Sequence, residues 1–139
     1  MKFTPSTVED IPQLTEWIAH DPYHFHLGQP EWWLTGAPNS LLAFCLMDDR
    51  GPLTYVRLDA EGEYVRIHTQ FAPKSVVSQR RLVVGMVKAI HTLIGLYSKG
   101  TARGLIFNSV SPTLVTFMKN FGFTPVGNDD YRLDFEGQK

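Results

Sequence analysis

His68 stands in the alternating run Tyr64-Val65-Arg66-Ile67-His68-Thr69-Gln70-Phe71. In an extended strand this pattern sends Val65, Ile67, Thr69 and Phe71 to one face. Tyr64, Arg66, His68 and Gln70 go to the other. An imidazole with an ordinary pKa of ~6.5 can accept a proton at neutral pH, which makes His68 the candidate general base. Glu63, just before the strand, is a weaker option. The same four polar residues also read as a solvated or helix-covered face. A second cluster is cationic: Arg80 and Arg81 follow Ser78 and Gln79 where a long apolar-striped segment begins. A helix start carries unpaired N–H donors and the positive end of the dipole. Two cations there are mildly unfavourable on their own. They either hold an anion by charge-assisted hydrogen bonds or simply solvate the first turn. In the stretch HDPYHFH, His20 and His24 lie four apart, but Pro22 breaks the helical register between them. No cysteine or carboxylate spacing completes a ligand set, so no metal is expected.

These groups need a scaffold. Lys2–Pro5 reads as a first strand, and Ser6 or Thr7 as a helix cap, Ser6 with Glu9 at capping-box spacing. Ile11, Leu14, Trp17 and Ile18 form one helical stripe. A short helix is expected around Glu31–Leu34. The continuously apolar Leu41–Met47 suits a strand covered on both faces. Leu53–Leu58 is the next strand, DAEG turns the chain, and Tyr64–Phe71 closes an antiparallel meander. Ser78 caps the longest helix, whose stripe is Leu82, Met86, Ile90 or Ala89, Leu93 and Tyr97. Leu105–Val110 is expected to be a strand parallel to Tyr64–Phe71. Ser111 followed by Pro112 is a strong helix start, and Gly122 suits a left-handed helix end. A last strand follows, with a break allowed for. The order is β-α-(α)-β-β-β-α-β-α-β, an α/β fold with helices on both faces of one mixed sheet.

The chain has 139 residues, which suits a single domain spanning residues 1–139. With 13 basic and 14 acidic residues the formal net charge is −1, so no general attraction to nucleic acid or anionic membrane is expected. No secretory h-region or membrane-length apolar run is present. The one cysteine, Cys45, lies in an apolar run and reads as a small buried hydrophobe. A cytoplasmic protein is the expectation.

The element order resembles the GNAT acetyltransferase superfamily over nearly the whole chain. The most specific likeness is SPTLVTFMKNFGF, Ser111–Phe123: Phe117, Met118, Lys119, Asn120, Phe121, Gly122 and Phe123 fall on the family's aromatic–Tyr–three residues–Gly–Phe frame. TVEDIPQL near the start is similar to the family's first helix. The resemblance implies that acetyl-CoA, as co-substrate, enters a gap between the strands ending at Phe71 and Val110. Its pyrophosphate would rest on the start of the long helix, at Ser78, Gln79, Arg80 and Arg81, with Ser111 nearby. It also implies an acceptor pocket walled by Tyr23, His24, Trp32 and Trp33. Both tryptophans also read as core plugs or a dimer contact, and the last strand offers a second surface for a homodimer.

Two positions depart from the family's pattern. On the frame Gln/Arg-x-x-Gly-x-Gly/Ala, read from Gln79, the small residues become Leu82 and Val84. Met118 stands where the family places a tyrosine, and a thioether cannot donate a proton. Tyr97, Ser111 and Tyr131 are the substitutes on paper. The resemblance therefore implies an N-acetyltransferase acting on a primary amine, or else a GNAT-fold binding module without turnover.

Overall fold

The computed structural model describes residues 1–23, 29–34 and 38–135. Strands β1 (Lys2–Pro5), β2 (Ser40–Asp48), β3 (Gly51–Glu61), β4 (Tyr64–Phe71), β5 (Gly104–Asn108), β6 (Thr124–Gly127) and β7 (Asp130–Asp134) form one sheet, ordered β1-β2-β3-β4-β5-β7-β6. Helices α1 (Ile11–His20), α2 (Gln79–Tyr97) and α3 (Pro112–Lys119) cover it, with 3₁₀ turns at Val8–Asp10 and Pro30–Trp33. β1 to β4 form an antiparallel meander. β4 and β5 run parallel, with α2 as the crossover. In place of one last strand, β6 and β7 form an antiparallel hairpin that turns at Asn128 and Asp129, both with positive φ (55° and 63°).

Alternation in β3 and β4 separates two cores. Val56, Leu58, Val65 and Ile67 share one face, where they cluster with Met86, Ile90 and Leu93 of α2 and Met118 of α3. Tyr55 points the opposite way and meets Trp17 of α1, ring centroids 5.2 Å apart. Leu14, Ile18, Trp33 and Cys45 belong to that second core, as do Leu46, Leu53 and Ala89. The Tyr55 hydroxyl donates to Asp10 Oδ1 and accepts from Gln13 Nε2, each at 2.7 Å, pinning the start of α1 to the sheet. Burial pushes the Cys45 thiol up to about 12, in keeping with a packing role.

Some local expectations shift. The capping box is Thr7 with Asp10 rather than Ser6 with Glu9. The reason is that Ser6 still belongs to the sheet, its N–H donating to the Ala43 carbonyl at 3.1 Å. Leu41 and Leu42 are 44% and 48% exposed, so β2 is not covered along its whole length. β1 reaches only the stretch from Phe44 to Met47. β5 stops at Asn108, before Val110. β3, in turn, continues through Asp59 to Glu61, which takes Asp59 out of the expected turn and buries it in the sheet.

Candidate active site at the splayed strands

β4 and β5 pair only through Tyr64–Gly104, Val65–Leu105 and Arg66–Ile106. Both strands run on unpaired with each other, to Phe71 and Asn108, so a gap opens toward their C-terminal ends. Arg66 sits where the pairing stops. It donates to Glu61 through Nε (2.8 Å) and Nη2 (2.7 Å), and to Asp130 through Nη1 (2.9 Å) and Nη2 (3.1 Å). Asn108 Nδ2 also donates to Asp130 Oδ1, at 3.1 Å. One guanidinium thus ties β3, β4 and β7 together below the gap, and its hydrogen bonds hold both carboxyls below the usual range. Above it, the Ala72 N–H donates to the Leu53 carbonyl at 2.9 Å. By strand alternation the backbone groups of Thr69 and Phe71 then face away from β3, into the gap.

His68 lies on this unpaired part of β4, directly opposite Arg57 of β3. Its Nε2 is 3.2 Å from Asp59 Oδ2. Asp59 Oδ1 accepts from Arg57 Nε at 2.9 Å, and both side chains are more than nine-tenths buried. Arg57 Nη1 donates to the Trp32 carbonyl at 2.7 Å, while its guanidinium carbon sits 4.0 Å from the Trp32 ring centroid. The same indole meets His68 edge-on at 4.7 Å. Burial lowers the His68 pKa below the ordinary histidine value. Asp59 opposes that shift, and Arg57 and Arg66 add to it. The imidazole is therefore neutral at neutral pH, the form a general base requires.

At the start of α2, Ser78 Oγ accepts from the Arg81 N–H at 3.2 Å. The N–H groups of Gln79 and Arg80 have no acceptor among the described residues, as the first turn of a helix predicts. Arg81 is committed elsewhere: Nε and Nη2 donate to Asp48 at 2.9 and 2.7 Å. Arg80, which has no such partner among the described residues, borders a groove of about 670 Å³ lined by Asp48, Asp49, Arg50, Arg81, Val84 and Lys88. Leu82 packs against the second core. Gly85, deeper in the helix, lets α2 approach the sheet: a Cβ there would lie 2.6 Å from Leu53 Cδ1.

The Arg81–Asp48 pair gives a pH-dependent stability. Hydrogen bonding to Arg81 holds the Asp48 carboxyl at about 2, against the opposing effect of desolvation. The native pKa is below the ordinary value of 3.8, so the stabilisation is complete above that value and is lost as pH falls toward 2. Thermal unfolding of wild type and Asp48→Asn should differ at neutral pH and converge between about pH 4 and 2.

The other expected site residues are dispersed. Phe71 ends β4 and packs against the first core. Ser111 caps α3, its Oγ accepting from the Leu114 N–H at 3.4 Å. Trp33 is in the second core, whereas Trp32 is 37% exposed over Arg57 and His68. Tyr23 is exposed just beyond α1, and its N–H donates to Asp21 Oδ1 at 2.8 Å. His24 lies outside the described residues. Met118 is 2% exposed within the first core. Tyr131 stacks on Phe107 at 5.3 Å. Tyr97 is at the far end of α2, about 27 Å along the helix from Gln79. The residues that sequence reasoning missed are Arg57, Asp59 and Asp130. The available signal was alternation: Tyr55, Arg57 and Asp59 continue one face of β3. Among the described residues no group of three or more His, Cys, Asp or Glu is placed to hold a metal, and no helix is long and apolar enough to cross a membrane.

No protein-family profile matches the chain, and no curated protein matches it in sequence. Solved structures do match its fold. A GNAT family acetyltransferase from Brucella melitensis, solved in complex with acetyl-CoA, is 16% identical over 99% of this chain and 90% of its own, with a TM-score of 0.65. An acetyltransferase from Thermus thermophilus is 18% identical over 96% of each chain, with a TM-score of 0.67. The ribosomal-protein-S18-alanine N-acetyltransferase from Escherichia coli is 12% identical over 96% of this chain and 93% of its own, with a TM-score of 0.63. The protein therefore has the GNAT acetyltransferase fold. At these identities the likeness is one of fold alone.

Proposed function

We propose that the protein transfers an acetyl group from acetyl-CoA to a primary amine, with His68 as general base. The observation that carries this reading is a partly exposed imidazole, bonded to a buried carboxylate, on the unpaired segment of β4 beside the gap between β4 and β5. The Thr69 backbone groups and the Phe71 N–H suit an extended, amide-bearing chain such as pantetheine, which can add to an open strand edge; the Phe71 carbonyl already accepts from Gln70 Nε2 at 3.3 Å. The Gln79 and Arg80 N–H groups and the Arg80 guanidinium suit a pyrophosphate. Leu82 and Val84 do not fill the gap: Leu82 packs into the second core and Val84 lines the groove on the Asp48 side.

The chemistry follows from these positions. His68 takes a proton from the acceptor ammonium, and the freed amine attacks the thioester carbonyl. Backbone N–H donors at the end of β4 stabilise the oxyanion that forms. The C–N bond forms, the attacking nitrogen gives its second proton to water, the C–S bond breaks, and the thiolate takes its proton from water, since Met118 has none to give. A panel of small primary amines and amine-bearing peptides should show amine-dependent thiol release with a matching gain of an acetyl group by mass. A second reading, a binding module without turnover, is favoured by Met118 and by the missing loop glycines. It predicts acetyl-CoA binding, or none, with no amine-dependent thiol release.

A further inference from the structure

We propose that Asp59 is a positioning residue for the reaction, holding His68 in the tautomer that leaves the Nδ1 lone pair free. This rests on His68 being the base. Asp59 sits across the β3–β4 ladder from Arg66 and diagonally from His68, on the same face. Its carboxylate is ion-paired with Arg57, so it offers only acceptor oxygens. The ring nitrogen facing it, Nε2, must then be the one carrying hydrogen. A neutral imidazole has one N–H, which leaves Nδ1 unprotonated, and Nδ1 has no partner among the described residues. Without Asp59 the ring could turn or change tautomer, because the other ring contact found among the described residues, the Trp32 edge, gives it no hydrogen bond.

Asp59 is itself held in place. Arg57 lies between it and the Pro30–Trp33 turn, bonded to the carboxylate on one side and to the Trp32 carbonyl and ring on the other. The charged groups bearing on His68 are Asp59, Arg57 and Glu61 of β3 and Arg66 of β4. Arg66 is balanced by Glu61 and Asp130. Asp59 is the carboxylate bonded directly to the ring, so it stabilises the imidazolium that forms when His68 takes the proton. The proton lands on Nδ1, while the Nε2–H to Asp59 is kept throughout.

The test begins on the wild-type protein, so it does not depend on any variant folding. Long-range ¹⁵N–¹H spectra of His68 should show a protonated Nε2 and an unprotonated Nδ1. The reverse pattern, or a mixture, overturns the proposal. In Asp59→Asn, kcat should fall by roughly 10²- to 10⁴-fold, as when a buried carboxylate partner of a catalytic histidine is neutralised. KM for acetyl-CoA should be unchanged, and the acid limb of the kcat/KM profile should move to lower pH as the stabilising carboxylate is lost. Unchanged kcat with an unchanged limb overturns the proposal. If His68→Ala keeps full activity, the base assignment fails, whereas the wild-type spectrum reports separately on what Asp59 does to the ring.

Discussion

His68→Ala is expected to lower kcat/KM for the amine by roughly 10²- to 10⁴-fold, the range that a positioned acid or base contributes. The amine must lose a proton before it can attack, and among the described residues His68 is the group best placed beside the gap to take it. Since burial and the two arginines lower its pKa, the acid limb of the wild-type kcat/KM profile should fall below the ordinary histidine value of 6.5. That limb should be absent in the variant. Acetyl-CoA affinity should change little, because the proposed contacts to the pantetheine and pyrophosphate come from the backbone of β4 and the first turn of α2. Steady-state kinetics with a thiol-release readout across pH would check all three points. Full activity with an unshifted limb would show that another group is the base.

Gly104→Ala is expected to destabilise the fold by about 3 kcal/mol or more, at the upper end of what overpacking usually costs. β5 is a central strand, paired with β4 on one side and β7 on the other. A Cβ at Gly104 would fall on the Leu133 carbonyl oxygen, with Leu133 C at 2.9 Å and Asp134 Cα at 3.1 Å. All three are backbone atoms, so no side-chain rotation relieves the clash and the β5–β7 ladder must open. The neighbouring bonds from Phe135 N–H to the Arg103 carbonyl (2.8 Å) and from Arg103 N–H to the Glu63 carbonyl (2.7 Å) hold that region rigid. Gly85→Ala is the matched control. There the obstacles are the tips of two buried side chains, Leu53 Cδ1 at 2.6 Å and Leu46 Cδ2 at 3.3 Å, rather than backbone, and removing a mid-helix glycine gains roughly 1 kcal/mol of helix propensity. Urea unfolding should find Gly85→Ala within about 1 kcal/mol of wild type.

What could be read from the sequence was local. Ser78 and Ser111 announce their helices because a hydroxyl cap, joined at Ser111 by a following proline, acts within one turn of chain. The alternation of Tyr64–Phe71 separates the core face from the polar face without knowledge of any neighbour. It singled out His68, while the setting of His68 stayed hidden. Asp-Ala-Glu-Gly is turn-like in composition, which places Asp59 in a turn on local grounds. Only the pairing of Ala60 with Val65 and Glu61 with Tyr64 shows that the strand continues. Arg66 meets Asp130, 64 residues away, and Arg81 meets Asp48, 33 residues away. Those partners are chosen by sheet order and helix packing, which no local window contains. Arg80 and Arg81 look alike in sequence, yet only Arg81 reaches Asp48 at the end of β2.

The most direct test of the central claim is calorimetric titration of acetyl-CoA into the wild-type protein, with desulfo-CoA and pyrophosphate alongside. The account predicts saturable binding in the micromolar range, shared by desulfo-CoA and weakened by Arg80→Ala. An absence of binding at millimolar acetyl-CoA would contradict it and leave the gap between β4 and β5 as an inherited feature of the fold.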